Sequence, residues 1–152
     1  MSEKRQAILG DYELVGGDLA LDFCNTMGGG RGTNPNEQLK SYLHLVSWGL
    51  FTGILSKKVA DALSKAGESN PALADEALTR AVALREAIYR AVTAIAQKKL
   101  PAAEDLFLIS RESGFAMLRA RLTPSKQSYE WSWHESLDLD QTTWPVATAA
   151  TC

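Results

Sequence analysis

Apolar residues recur at helical spacing through most of this chain and at spacing two in one late stretch. Tyr12-Glu13-Leu14-Val15 reads as a short strand, closed by Gly16-Gly17. Asp18 caps a short helix from Leu19 to about Thr26. Gly28-Gly29-Gly30-Arg31-Gly32-Thr33-Asn34-Pro35-Asn36 reads as a mobile loop. A second helix is predicted from Glu37 to Phe51, through Leu39, Tyr42, Leu43, Val46 and Leu50, with Gly53 as its stop. Ser56 caps a third, short helix through Val59, Leu63 and Lys65, and Gly67-Glu68-Ser69-Asn70-Pro71 reads as a turn.

The longest pattern runs from about Ala72 to Lys98, with Pro71 favourable at its start. At about 100° per residue, Leu78, Ala81, Val82, Ile88, Tyr89, Val92 and Ala96 share one face, and Glu76, Thr79, Arg80, Ala83, Glu86, Arg90 and Gln97 the other. Glu76 and Arg80, and Glu86 and Arg90, stand four apart in the favourable order for pairing on the solvent side. Pro101 opens a fifth helix from about Ala102 to Leu118. The period then becomes two: Leu118, Ala120 and Leu122, then Tyr129, Trp131 and Trp133, alternate with polar residues. That predicts a hairpin near 118–134 whose aromatic ladder packs over the helices. Trp144-Pro145 starts a last helix. The expected fold is mainly α, an irregular helical bundle around one long central helix. A small antiparallel β-element, made of the N-terminal strand and the hairpin, completes it.

One residue breaks the pattern. Arg85 falls among Leu78, Val82, Tyr89 and Val92, near the middle of the apolar stripe. A buried guanidinium is costly unless paired, and it cannot escape by losing its proton. The short first helix is apolar on all sides yet carries Asp22 and Asn25, three apart and so neighbours on one face. Asp22 is therefore the expected partner of Arg85, with Asn25 and Thr26 extending a polar network. Two readings stay open. The pair fixes helix register, or Arg85 is the base of a pocket for an anionic or carbonyl group, walled by Trp48, Tyr89, Trp131 or Trp144.

Composition narrows the function. The 152 residues suit one domain, and a net charge of -2 is no electrostatic footprint for nucleic acid. No apolar run approaches the roughly 20 residues that cross a bilayer, and the charged start lacks a signal-peptide core, so a cytoplasmic protein is expected. Cys24, Cys152, His44 and His134 have no metal-ligand spacing, and no cofactor is expected in this chain. Cys24 on a buried helix reads as a small core residue, and His134 as solvated. The glycine-rich loop lacks the Gly-Lys-Ser/Thr ending of a phosphate loop, but it is placed to act as a lid, with Arg31 swinging in. No nucleophile, acid and base combine into a convincing catalytic set.

Four segments resemble a known family. Gly16 to Thr26, Leu39 to Leu55 with Trp48 and Gly53, Ala83 to Arg90, and Trp144 to Ala147 are similar, in order, to motifs of the ABATE domain. In that family the domain forms the N-terminal half of zinc-finger regulators with a C-G-N-R motif. The resemblance implies a mostly helical domain spanning residues 1–152, from a bacterial stress-response transcription regulator. It implies that zinc and DNA contact belong to a finger absent here, which makes the chain an isolated N-terminal domain. Within that frame the chain is expected to sense a small molecule, to form a homodimer, or both. The alternative is a small enzyme or binding protein for an anionic metabolite, with Arg85 orienting it and Asp22 as base.

Overall fold

The computed structural model describes residues 9–10, 12–14, 17–133 and 138–151. Helices dominate: α1 (Leu19–Cys24), α2 (Tyr42–Thr52), α3 (Lys57–Ser69), α4 (Pro71–Ala96), α5 (Ala103–Arg119) and α6 (Trp144–Ala149), the last entered through a 3-10 turn at Gln141–Thr143. Two antiparallel pairs complete it. β1 (Met27–Gly28) pairs with β2 (Asn36–Glu37), and β3 (Ala120–Ser125) with β4 (Ser128–Trp133). The mainly α bundle around one long helix is the architecture that the apolar spacing predicts.

Local signals set most ends. Asp18 accepts from the Ala20 amide at 2.8 Å and caps α1. Ser56 does the same for α3 through the Val59 amide at 3.2 Å. Gly53 closes α2 at φ 81°, where a side chain would be strained. Pro71 occupies the first turn of α4, where its missing N–H costs nothing.

Several expectations are corrected. No strand forms at Tyr12–Leu14, and Val15 and Gly16 lie outside the described residues. Tyr12 instead lies along α2: its hydroxyl donates to the His44 carbonyl at 2.9 Å, and its ring sits 5.7 Å from Phe51. The second β-partnership is β1 with β2, at the two ends of the glycine loop. Consequently α2 starts at Tyr42 and not at Glu37, which β2 uses. Helix α3 runs on to Ser69, through the expected turn, and Gly67 within it packs closely against the Tyr42 ring.

The buried face of α4 is also rotated from the expected stripe. Leu84, Ala87 and Ala91 are buried, whereas Val92 is 41% and Ile95 63% exposed. The reason is that α4 touches α1, α2, α3 and α5, so it hides more than one stripe. It does so mainly with alanines at 74, 77, 81, 87 and 91, which let those neighbours come close. The i,i+4 pairing is replaced by tertiary contacts. Arg80 pairs with Glu112 at 2.8 Å and Asp140 at 3.2 Å, and Arg90 with Asp105 at 2.7 Å.

The hairpin turns at Lys126-Gln127, and its aromatic ladder does not pack as expected. Tyr129 and Trp131 are 72% and 47% exposed. Trp133 packs against the core, donating through Nε1 to the Ala116 carbonyl at 2.9 Å. Leu118 stays in α5, 82% exposed. The core itself gathers Phe23, Leu45, Val46, Trp48, Leu63, Leu84 and Val146, all essentially without solvent contact.

Gly67 gives a direct check. A Cβ there would lie 2.7 Å from the Tyr42 ring, which is buried and tied by its hydroxyl to the Leu139 carbonyl at 2.7 Å. Gly67→Ala gains about 1 kcal/mol of helix propensity but overpacks that contact by about 1–3 kcal/mol. Urea unfolding is expected to show net destabilisation, whereas Gly53→Ala is destabilising through its positive φ alone.

Candidate functional site

Three arginines lie along α4 at intervals of five residues, Arg80, Arg85 and Arg90. Five residues turn a helix by about 500°, so each arginine points about 140° away from the last. They therefore reach different parts of the fold. Arg80 and Arg90 hold α5, and Arg85 turns toward α1 and the β1–β2 pair.

The Arg85 side chain is only 1% exposed. Its two terminal nitrogens grip Glu37 at the end of β2 in a bidentate pair, at 2.7 and 2.8 Å. Its Nε donates to Glu86 at 2.8 Å, and Nη1 also reaches the Thr26 hydroxyl at 3.3 Å. The Thr26 hydroxyl itself donates to the Phe23 carbonyl at 2.7 Å. All three nitrogens are thus used, which is what a dry guanidinium requires.

A second arginine closes the cluster. Arg31, in the loop between β1 and β2, crosses 55 residues of sequence to Glu86, with Nε at 3.1 Å and Nη2 at 3.3 Å. It donates to the Cys24 carbonyl at 3.0 Å and lies over the Tyr89 ring, 3.6 Å from its centre. Here guanidinium–π attraction adds to the ion pair. The loop is shaped for this. Gly29 adopts φ 67°, and a Cβ there would collide with the Asn34 carbonyl oxygen. Asn34 in turn donates its amide to Gly30 at 2.9 Å.

The charges form a line, Glu37–Arg85–Glu86–Arg31, alternating in sign and summing to zero. Burial pushes the Glu37 carboxyl up from its ordinary 4.5, but the Arg85 hydrogen bonds, the Leu39 amide and the Arg85 charge outweigh it, so the net shift is downward. Glu86 behaves alike, with burial opposed and outweighed by Arg31 and Arg85. Burial pushes the Cys24 thiol up to about 11, so it is protonated at neutral pH. Among the described residues, no three His, Cys, Asp or Glu side chains gather as a metal group; His134 and Cys152 lie outside them.

The residues singled out from sequence are thus divided. Thr26, Arg85 and Tyr89 come together. Asp22 is buried on α1, but the carboxylates that Arg85 holds are Glu37 and Glu86, contrary to the expected Asp22 pairing. Asn25 is exposed at the end of α1. Trp48 is a core ring, 4.9 Å from Phe23. Trp144 is buried at the start of α6, with the Arg119 guanidinium 5.4 Å from its ring. The reading of sequence missed Glu37 and Glu86, which it assigned to a helix start and a solvent face.

Two measurements bear on the cluster. Arg85→Ala strips a buried cation from its acids and is expected to cost about 3 kcal/mol in urea unfolding. With Glu37→Ala added, the double variant is expected to lose less than the sum of the singles, by about 1–3 kcal/mol. Because Glu37 and Glu86 titrate lower when folded than when unfolded, their contribution is complete above pH about 4.5 and is lost as pH falls below it. Glu37→Gln is therefore expected to flatten the acid limb of the stability–pH profile, while lowering stability at pH 7.

The geometry can be set beside known proteins. No curated protein and no solved structure matches the chain. Residues 17–151 match the family model named ABATE and described as "Putative stress-induced transcription regulator". That span holds all of the Arg85 cluster and every helix described above, and on it the chain belongs to the ABATE family.

Proposed function

We propose that this chain is the sensing domain of a transcription regulator, and that the β1–β2 loop is the part that responds to a small anionic ligand. The observation that carries the reading is the unequal exposure of the two arginine contacts. Arg85 is dry and bidentate on Glu37, so it anchors β2 permanently. The Arg31–Glu86 pair keeps 20% and 26% of its side chains in solvent. That pair is open to solvent on one side, where the Arg85–Glu37 pair shows only the carboxylate, so a carboxylate or phosphate from solution can compete with Glu86 for Arg31.

The ligand then meets a prepared surface. Arg31 supplies a planar fork and Tyr89 a ring beneath it, while Arg85 and Thr26 stay buried behind them and hold Glu37 and Glu86 in place. Asp22 and Asn25 stand on the adjoining helix α1, whereas Trp48 and Trp144 serve the core in this reading. Because α1 contacts both α4 and α6, a shift of the loop has a route to the end of the domain. The catalytic alternative has less to stand on: the thiol of Cys24 is held protonated, and Glu37 and Glu86 are held as ionised partners of arginine, short of a free base.

Thermal unfolding against panels of carboxylates and phosphates tests the reading. A binder is expected to raise the melting temperature of the wild type and not of Arg31→Ala. In the absence of ligand, hydrogen exchange of loop residues 29–34 is expected to quicken about fivefold in Arg31→Ala, with α4 unchanged. An anion that stabilises Arg31→Ala equally, or a loop indifferent to the substitution, overturns the proposal.

A further inference from the structure

The β3–β4 hairpin has two outer edges, and only one of them is blunted. Its turn is the two residues Lys126 and Gln127, so Ser125 and Ser128 exchange main-chain bonds, and every second pair beyond them does likewise. Thr123 with Glu130 and Arg121 with Ser132 are then the bonded pairs. Pro124, which has no N–H to give, falls in the alternate set with Tyr129, where none is asked of it. In that set Tyr129, Trp131 and Trp133 turn their amides and carbonyls away from β3. Pro124 interrupts the matching row on β3. The β4 edge has no lysine, proline or bulge, the usual protections of a free edge. Among the described residues, no hydrogen bond outside the hairpin takes up the Trp131 amide or carbonyl.

A cleft of about 620 Å³ adjoins that open edge, a size within the usual range of binding clefts. Four consecutive β4 residues, Glu130 to Trp133, line it, and no residue of β3 does. Its other walls are Gly53 to Ser56, where α2 gives way to α3, and Trp144-Pro145 at the start of α6. Glu130 is the one charged residue in the lining. No member of the Arg85 cluster belongs to it, so the cleft is a separate site from the Arg31 loop.

We infer that β4 is a docking edge for an extended peptide segment of a partner protein, one that alternates apolar with basic residues and pairs with the main chain of Trp131. An edge of unpaired groups calls for a row of N–H and C=O groups at strand spacing, which an extended chain supplies and a compact small molecule does not. A strand added there sets alternate side chains beside Trp131 and Trp133, where apolar residues are favoured. The residues between them stand beside Glu130 and Ser132, where a lone carboxylate favours a cation. A second copy of β4 would bring no cation, only another Glu130.

A six-residue peptide alternating valine and lysine, blocked at both ends, tests it by titration calorimetry with the full chain. Saturable binding below about 1 mM is expected. The same peptide methylated on every backbone nitrogen can donate nothing and is expected to bind at least roughly tenfold more weakly. Trp131→Pro, which removes an amide that the hairpin does not use, is expected to keep the fold by circular dichroism and to bind roughly tenfold more weakly than Trp131→Val. Glu130→Gln is expected to weaken binding about threefold, and Arg31→Ala to leave it unchanged. Absence of saturation by about 1 mM overturns the proposal, as does equal binding of the methylated peptide. A valine–glutamate peptide that binds as well overturns the basic chemistry of the partner. Self-association of the wild type in sedimentation velocity, abolished by Trp131→Pro, overturns the peptide in favour of a second copy.

Discussion

A guanidinium with almost no water around it has to be surrounded by acceptors, and this requirement at Arg85 organises one whole side of the molecule. Glu37 must come to it, so β2 ends where it does and α2 cannot begin until Tyr42. Thr26 must come to it as well, which fixes the exit of α1. Since β1 follows Thr26 and β2 carries Glu37, the two short strands meet, and the glycine loop between them is brought back over α4. What looks like a two-residue sheet is the by-product of two ligands converging on one cation. Main-chain pairing that brief contributes little by itself.

Helix α4 plays two parts at once. Its alanines let four other helices approach, and its arginines then hold their neighbours in register. Alanine packing is weakly directional, because a smooth surface of methyl groups fits a neighbour at several angles. Directed ion pairs supply the missing orientation. Arg80 and Arg90 fix α5 at two points, and Arg85 fixes the β1–β2 unit. Specificity of arrangement is the better-attested contribution of buried charge, and this division of labour fits it.

Much of this was legible in the chain. Asp18, Ser56, Gly53 and Pro71 mark helix ends by local chemistry that needs no tertiary context, and they stand where expected. The inward charge at Arg85 was legible because an arginine amid aliphatic neighbours has few alternatives. Its partners were not. Glu86 adjoins Arg85 in sequence, and adjacent residues on a helix do not normally face each other. Here the side chains do meet, with Arg31 holding Glu86 from the other side. Glu37 followed a loop and resembled a helix start; no periodicity distinguishes an acid bound for a distant cation. The rotated face of α4 escaped for a related reason. Large aliphatic residues announce burial, whereas alanine is neutral to it, and here alanines carry the contact.

The even spacing of arginines along α4 carries a consequence for how such a chain can change over time. Inserting or deleting one residue near the middle of that helix would swing everything beyond the change by about 100°. Acids that had been reached from the displaced half would then be faced by aliphatic groups. Drift in this domain should therefore be accommodated by lengthening loops, while the phase of its axle stays frozen.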